Sequence, residues 1–228
     1  MNEPFRLVHA DPRFYLIDKA PGVNFHSEDG EAGLLPLLRM GLADDALWPV
    51  HRLDKVTSGL ILVARSANVA NALAERFAAH RIDKFYVALS ASKPKKKQGL
   101  IRGDMAKGRG GAWKLLHSTE NPAVTQFFST SAGPGVRTFL LRPRTGRTHQ
   151  LRVALKSVGA PILGDALYGG EAADRTYLHA YALAFELDGE AFNFTCPPSA
   201  GAHFNAATLA ERLVGEWATP WALQWPSV

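Results

Sequence analysis

His51-Arg52-Leu53-Asp54-Lys55-Val56-Thr57-Ser58-Gly59 is followed at once by an apolar run over residues 60–64, which is typical of a buried strand. A loop that leads into such a strand is held by a rigid element, and enzymes commonly place reacting groups on such loops. Asp54 lies between the cations Arg52 and Lys55, and nearby positive charge favours the ionised form of a carboxylate. The stretch therefore predicts an ionised carboxylate at a fixed position, as a carboxylate nucleophile requires. A surface ion pair is the alternative interpretation of this Asp taken alone.

Four spaced motifs resemble those of the RluA-type pseudouridine synthases, which isomerise selected uridines in structured RNA. They are HRLDKVTSG at 51–59, KFY at 84–86, RTGRTHQLR at 144–152 and GDALYG at 164–169. The likeness extends from about residue 14 to about residue 198. A lone HRLD would be weak evidence, but the four motifs in this order are specific. Some members of the family carry an additional N-terminal RNA-binding module, the S4 domain, and this sequence is expected to lack it.

The length of 228 residues suits a single catalytic domain over 1–228, with a core at about 14–198 and a C-terminal helix and Trp-containing tail at about 204–228. Cys196 is the only cysteine, so no disulfide within the chain and no zinc spacing are expected. Neither a leader peptide nor an apolar run of about 18 residues is evident. We therefore expect no membrane partner, a cytoplasmic location and, by default, a monomer.

Positive charge is concentrated in two segments. Residues 81–114 hold ten Lys and Arg against two acids, and residues 137–156 hold six against none. Because the net charge is only +5, the rest of the chain is acidic. Such segregation is typical of a protein that binds a polyanion by releasing counterions from phosphates. Solvated loops that only aid solubility are the alternative interpretation.

Periodicity and turn signals predict an α+β fold with a mixed, mostly antiparallel sheet flanked by helices. Strands are expected at 5–9, 13–18, 60–64, 84–89, 124–131, 136–142, 177–187 and 191–195. The last four are expected to form two hairpins, the second with Asp188-Gly189 as its turn. Helices are expected at 31–40, 67–80, 148–158 and 205–216, and exposed basic loops at 92–99 and 107–111. The resemblance implies the same class, a pseudouridine-synthase-like sheet in two halves with the active site in a central basic cleft.

Conversion of uridine to pseudouridine breaks N1–C1′, rotates the freed base and joins C5 to C1′. The reaction requires neither redox chemistry nor energy input, so we expect no cofactor and no metal. A base inside stacked RNA must be flipped into the enzyme before it can react. The resemblance implies that Asp54 is the essential aspartate, which forms a covalent or tight ionic intermediate with the flipped nucleotide. The sequence leaves open whether it attacks the sugar or the base.

Tyr86 and Lys84 are expected on one face of a strand, because side chains two residues apart in a strand point the same way. Tyr86 could then stack on the flipped uracil while Lys84 points at the same groove. A hydroxyl role in removing the C5 proton is a weaker hypothesis. A tyrosine packed in the core is the structural alternative.

The arginine-rich third motif is expected to supply a cationic partner and phosphate contacts. Arg147 and Leu151 are four residues apart, which would place them on one helix face beside the site. Phosphate binding without any contact to Asp54 is the alternative for these arginines. The same motif is expected to contribute three further substrate contacts: Arg144, His149 and Arg152. In the first motif, the resemblance implies that Arg52 fills the space left by the flipped base.

Three features bear on target identity or architecture rather than on catalysis. Many relatives have a histidine where this chain has Ala154, which bears on target identity rather than on activity. The segment 164–169 is expected to be architectural, with glycines setting a turn and Tyr168 packing. The tryptophans at 217, 221 and 225 are expected to form a tail packed on the body rather than a platform for nucleic acid.

The sequence favours an RNA pseudouridine synthase that acts on ribosomal or transfer RNA. The first alternative is a basic RNA-binding protein that keeps the scaffold without turnover. The second is a base-excising glycosylase, which would release free base. A protein kinase is excluded, because Leu53 interrupts His-Arg-Asp and neither the required Asn nor a DFG motif follows.

Overall fold

A computed structural model of the protein describes residues 3–28 and 30–228. The chain forms two compact units. Unit 1 consists of Met1–Ile82 and His179–Pro198, and unit 2 of Asp83–Leu178 and Ser199–Val228.

Strands outnumber helices in the part of the chain that the structure describes. The strands are β1 (Phe5–Ala10), β2 (Phe14–Lys19), β3 (Trp48–Pro49), β4 (Ser58–Ala64), β5 (Asp83–Ser90), β6 (Gln98–Gly103), β7 (Met105–Lys107), β8 (Trp113–Leu115), β9 (Ala123–Gly133), β10 (Val136–Pro143), β11 (Leu178–Leu187) and β12 (Glu190–Thr195). The α-helices are α1 (Leu34–Leu42), α2 (Ala67–Ala78), α3 (Gln150–Ser157) and α4 (Ala207–Val214). Short 3₁₀ helices cover Ala166–Tyr168, Ala202–Asn205 and Pro220–Ala222.

Unit 1 is built on β4, whose seven residues are all buried. This strand pairs antiparallel with β2 and β3 and parallel with β11, where His179 lies opposite Ser58. Strands β1 and β12 extend the sheet as antiparallel partners of β2 and β11. The core contains Phe14, Leu62 and Phe185, and Leu73 joins it from α2. The apolar run after the first motif therefore forms the predicted buried strand.

Unit 2 holds the antiparallel series β5-β10-β9-β6 and a separate two-stranded ribbon of β7 and β8. The C-terminal tail packs on this sheet: the Trp225 ring lies 5.8 Å from Phe85 and 4.8 Å from Phe128, and Trp217 is buried. The expectation that the tryptophans form a packed tail is confirmed.

The fold class is α+β with a mixed sheet, as the sequence predicts, because β4 and β11 pair in parallel and the other pairings described above are antiparallel. Both predicted hairpins form, β9–β10 and β11–β12. The turn of the second places Asp188 at φ 52° and Gly189 at φ 80°, the conformation that favours Asp-Gly in a two-residue hairpin. Ser66 caps α2 by accepting the Val69 N–H, which confirms that helix start.

Three helices begin later than predicted. The first begins at Leu34 rather than 31, because Gly33 is extended and serves as its N-cap, which leaves Pro36 in the first turn, where its missing N–H is tolerated. The third begins at Gln150 rather than 148, because His149 adopts a left-handed conformation at φ 56°. The last helix is also shorter than predicted, covering Ala207–Val214, and a 3₁₀ turn precedes it.

The sequence interpretation missed β6, β7 and β8, which lie in, between or just after the segments assigned to basic loops. Strand β6 contains two glycines, and β7 and β8 have three residues each, so these strands lack the alternation that identifies a strand. Tertiary pairing decides the outcome here, since β6 forms a full ladder with β9.

In the stretches 3–28 and 30–228, no helix is long and apolar enough to cross a membrane.

Candidate active site

Asp54 lies in unit 1 on a turn between β3 and β4, within residues 51–57, here called the Asp54 loop. Its carbonyl accepts the Thr57 N–H at 3.0 Å, and this bond closes the turn. Leu53 before it and Thr57 after it are both buried, whereas Arg52 is exposed. The loop is therefore fixed on both sides of a half-buried carboxylate, which agrees with the prediction of a carboxylate at a fixed position.

A fully buried lysine anchors the same loop. Lys19, at the end of β2, directs its ammonium at three main-chain carbonyls: those of Ala20 and Val23 at 2.9 Å and that of Lys55 at 3.2 Å. The Lys55 carbonyl also accepts the Gly22 N–H at 2.8 Å. Because Lys55 follows Asp54 directly, this network fixes the backbone next to the carboxylate. Such hydrogen bonds compensate the cost of burying an ammonium.

Two histidines secure the ends of the loop. The His51 Nε2 accepts the Leu62 N–H at 2.9 Å, and its ring stacks on Phe77 with centroids 4.6 Å apart. Beyond the other end, the Ser58 hydroxyl lies 2.7 Å from the His179 Nδ1, and both residues are buried. His51 and Ser58 of the first motif therefore attach the two ends of the loop to the rest of unit 1. Asp54 lies between these two attachment points.

Asp18, His179 and Cys196 form a buried group whose potential ligand atoms lie within 4.8 Å of one another. Both ring nitrogens of His179 are engaged, Nδ1 with Ser58 and Nε2 with the Cys196 carbonyl at 2.8 Å. Burial, and next the charge of Asp18, raise the pKa of the Cys196 thiol to about 12, whereas a metal requires the thiolate. This arrangement fits a hydrogen-bonded cluster better than a metal site, and the expectation of no metal stays a prediction.

In unit 2, β5 presents Lys84 and Tyr86, both half-buried, while Phe85 between them is buried against the tail. This alternation agrees with the prediction that Lys84 and Tyr86 share a face. Burial lowers the pKa of the Lys84 ammonium; nearby Arg144 lowers it further, and Asp83 opposes both effects.

Arg147 lies in the loop before α3, residues 144–149, here called the Arg147 loop. The buried side chain of Gln150 organises it: its Oε1 accepts the Arg147 N–H at 2.9 Å and the Thr145 hydroxyl at 2.8 Å. Its Nε2 donates to the Val124 carbonyl at 3.1 Å and the Thr125 hydroxyl at 3.0 Å. Four hydrogen bonds of one amide thus join the loop to β9.

The exposed guanidinium of Arg147 is held by a neighbouring loop. It donates to the side-chain oxygen of Asn121 and, at 3.4 Å, to the carbonyl of that residue. Asp104 shapes this loop by accepting the N–H groups of Asn121 at 2.8 Å and Glu120 at 3.0 Å. The hydrogen bond from Ser118, followed by these N–H groups, lowers the pKa of Asp104 below its usual value.

The helix-face argument for Arg147 and Leu151 is wrong, because Arg147 precedes the helix. Leu151 is buried in α3, and Arg144 donates to Asp83 at 3.3 Å, as does Arg142 at 2.9 Å. Of the predicted site residues in unit 2, Lys84 and Arg144 thus share the neighbour Asp83.

The structure corrects the expectation of a phosphate contact for Arg152, whereas that for His149 stays a prediction. Arg152 is 6% exposed and makes two hydrogen bonds to Asp165, at 2.7 and 2.9 Å, with its guanidinium over the Tyr168 ring. The His149 Nδ1 lies 2.8 Å from the Tyr168 hydroxyl. Both side chains hold the 164–169 segment, whose predicted architectural role the contacts support. Arg152 failed as a prediction because sequence spacing does not reveal a buried acid thirteen residues away.

Several residues that build the two loops were not assigned a role from the sequence. One of them, Gln150, lies in the third motif. The others lie outside the four motifs: Lys19, Asn121, Asp104 and His179. Lys19 follows an apolar strand directly, and a lysine that is buried there must be hydrogen-bonded.

Comparison with known proteins agrees with this architecture. The family model described as RNA pseudouridylate synthase matches residues 13–157. A Haemophilus influenzae protein named uncharacterized RNA pseudouridine synthase is 50% identical over 209 residues, 91% of this chain and 93% of the relative. The Haemophilus ducreyi ribosomal large subunit pseudouridine synthase C is 30% identical over 195 residues, 79% of this chain and 61% of the relative. The solved structure of human RNA pseudouridylate synthase domain containing 1 aligns with TM-score 0.73 and 27% identity, covering 86% of this chain and 84% of that one.

An α+β fold with a carboxylate on an anchored turn and an arginine-rich loop defines the class as RNA-modifying isomerases. The chain belongs to the RNA pseudouridine synthase family, whose reaction converts uridine in RNA to pseudouridine.

Proposed function

We propose that this protein isomerises uridine in ribosomal or transfer RNA with Asp54 as its essential carboxylate. The observation that carries the assignment is the placement of Asp54 on a turn fixed by Thr57 and, through Lys55, by the buried Lys19. A carboxylate that must form an intermediate with a flipped nucleotide benefits from such a rigid position.

The proposal gives Tyr86 and Arg147 the other catalytic roles. Tyr86 is half-buried on β5, which suits an aromatic surface on which the uracil stacks. Arg147 presents an exposed guanidinium from an otherwise fixed loop, which suits a cation that meets the nucleotide. Lys84, Arg144, Leu151 and the exposed Arg52 are proposed as substrate contacts, whereas His149 and Arg152 are proposed as supports of the Arg147 loop and of α3.

The proposed substrate is structured RNA, and ribosomal RNA is the first to test, because one relative is named for the large ribosomal subunit. We propose a cytoplasmic monomer, since RNA of this class is the substrate and a single chain carries all the assigned residues. The central basic cleft stays a prediction.

The test is release of tritium from unmodified ribosomal or transfer RNA carrying [5-³H]uridine, since formation of the C5–C1′ bond expels the C5 hydrogen. We expect release by the wild-type protein and none by Asp54→Asn, with RNA affinity changed only a few-fold. Asp45→Asn is the matched control, because it makes the same change at an exposed acid of unit 1 and should leave release unchanged.

Each other outcome identifies an alternative. Release by Asp54→Asn would remove Asp54 from the mechanism. Tritiated uracil free in solution would indicate a glycosylase. RNA binding without release by the wild-type protein would favour the non-catalytic RNA-binding protein.

A further inference from the structure

Eight cations in unit 2 share a single property: all are exposed, and no ion pair joins any of them to a carboxylate within residues 3–28 and 30–228. We call them the basic line, and they are Lys93, Lys95, Lys96, Lys97, Arg102, Lys107, Arg109 and Lys114. The only acid between residues 93 and 114 is Asp104, and its carboxylate is occupied by the N–H groups of Glu120 and Asn121. The line is therefore a surface of uncompensated positive charge.

Other arginines of the same unit behave differently. Arg142 and Arg144 pair with Asp83, Arg152 pairs with Asp165, and Arg212 pairs with Glu216. Arg147 and Lys156 are also exposed and lack a carboxylate, but their side chains donate to Asn121 and to the Tyr168 carbonyl. Exposed cations that neither a carboxylate nor a hydrogen-bond acceptor of the described residues holds are available to an external anion.

The basic line is elongated. Four lysines precede β6, Arg102 lies on β6, and the remaining three cations lie on the β7–β8 ribbon that follows. Strand β6 ends the β5-β10-β9-β6 series and pairs with β9. Its six residues span about 20 Å at roughly 3.3 Å per residue. A line of this length fits a polymer with repeated phosphates better than a single small anion.

One end of the line connects to the Arg147 loop. The Trp113 N–H donates to the Tyr168 hydroxyl at 2.9 Å, and that hydroxyl also contacts His149. Asp104, between β6 and β7, shapes the loop in which Asn121 holds Arg147. The tip of the β7–β8 ribbon is glycine-rich, with Gly110 and Gly111 in left-handed conformations and open space beside them, so a phosphate backbone can approach closely.

We propose that the basic line binds the phosphate backbone of RNA on one side of the target nucleotide, from the Arg147 loop to the lysines before β6. The proposal rests on the proposed function, because it assumes that Arg147, next to one end of the basic line, contacts the target nucleotide. Contacts of this kind add affinity and position the RNA without reading its sequence. RNA substrates are therefore expected to need flanking nucleotides on one side more than on the other.

The test compares two variants of equal net charge. Lys95→Gln/Lys96→Gln/Lys97→Gln removes three positive charges from the far end of the line, and Asn68→Asp/Asn71→Asp/Ala74→Glu adds three negative charges on the exposed face of α2, so that both lower the net charge by three. Three probes are used: an unmodified ribosomal RNA fragment, a copy shortened on the 5′ side of the target uridine, and a copy shortened on its 3′ side. Affinity is measured against salt concentration, together with the single-turnover rate at saturating RNA.

We expect the lysine variant to lower the slope of log affinity against log salt by about 2, since each lost phosphate contact on single-stranded RNA contributes about 0.7. The α2 variant should keep the wild-type slope, and both should keep the wild-type rate at saturation. Shortening the RNA on one side should weaken binding by the wild-type protein but not by the lysine variant.

An unchanged slope in the lysine variant, or an equal decrease in both variants, would overturn the basic line as an RNA surface. If the lysine variant kept the wild-type RNA slope but bound polyglutamate more weakly than the wild type does, the basic line would be assigned to an acidic protein partner instead. A wild-type protein that binds RNA but releases no tritium would contradict the proposed function, while the slopes would still decide whether the line contacts phosphate.

Discussion

In the Asp54 loop a buried ammonium supplies the fixed point, whereas in the Arg147 loop a buried amide does. Lys19 offers only donors, so it holds main-chain carbonyls, including that of Lys55 next to Asp54. Gln150 offers both donors and acceptors, so it holds the N–H of Arg147 itself and joins it to β9. In each loop, the anchoring side chain therefore supplies the donors or acceptors that the main-chain groups of that loop need.

The two anchors also differ in what their loss would cost. A buried ammonium carries a large desolvation cost that only a full set of hydrogen bonds compensates, so its site must be built around it. A buried amide is neutral, and its loss leaves donors and acceptors unpaired without removing a charge. Changes at Lys19 should therefore act on the whole of unit 1, and changes at Gln150 should act more locally.

The largest expected effect belongs to Lys19→Met, which keeps the length of the side chain and removes its charge and its donors. Three carbonyls lose the ammonium, and of these the Lys55 carbonyl keeps the Gly22 N–H. We expect a loss of roughly 3 kcal/mol in the free energy of unfolding. Because the Lys55 carbonyl is among them, turnover should also fall in the fraction that stays folded. Denaturant unfolding and single-turnover rates measure the two effects.

Lys55→Gln is the control for Lys19→Met, because it changes an exposed lysine side chain of the same loop and leaves the Lys55 carbonyl in place. It should leave the free energy of unfolding near that of the wild type. Wild-type stability and turnover in Lys19→Met would show that the ammonium does not fix the Asp54 loop.

Much of the fold follows from local pattern. The buried strand after the first motif, the capped α2 and the Asp-Gly hairpin each combine periodicity with a specific end signal, and each is confirmed. Strand β6 and the ribbon after it carry no such pattern, because β6 contains two glycines and the ribbon strands have only three residues each. Only pairing with β9 defines β6 as a strand.

The candidate site, like the fold, is predictable from the sequence only in part. The motif residues Asp54 and Arg147 stand out by type and spacing, but the sequence does not show which motif residues face inward. Arg147 and Arg152 lie five residues apart in one motif, yet the first is exposed and the second is buried against Asp165. The left-handed His149 between them shifts the helix start and invalidates any argument from helix spacing.

The second largest effect is expected for Gln150→Leu, which keeps side-chain volume and removes four hydrogen bonds. We expect a loss of about 2 kcal/mol in the free energy of unfolding and a clear fall in the single-turnover rate, because the Arg147 N–H loses its acceptor. The RNA dissociation constant should change little, since the cations of the basic line are untouched.

Gln126→Leu is the control, because Gln126 on β9 is, like Gln150, a buried amide of unit 2. Its side chain donates to the Pro226 carbonyl in the tail rather than to the Arg147 loop. It should cost stability without lowering the rate of the folded protein. Equal losses of rate in the two variants would mean that Gln150 acts only through general stability.

The smallest effect is expected for Asn121→Ala, which removes the side-chain acceptor of the Arg147 guanidinium and leaves the weaker bond to the carbonyl. An exposed hydrogen bond contributes about 1 kcal/mol, which corresponds to roughly a fivefold fall in the single-turnover rate if the guanidinium must be held in place. Stability should stay near that of the wild type, because Asn121 is exposed. Asn193→Ala, at an exposed asparagine of β12, supplies the matched control. A faster rate in Asn121→Ala would reverse the assignment, since Asn121 would then restrain Arg147 in an arrangement that it must leave before it meets the nucleotide.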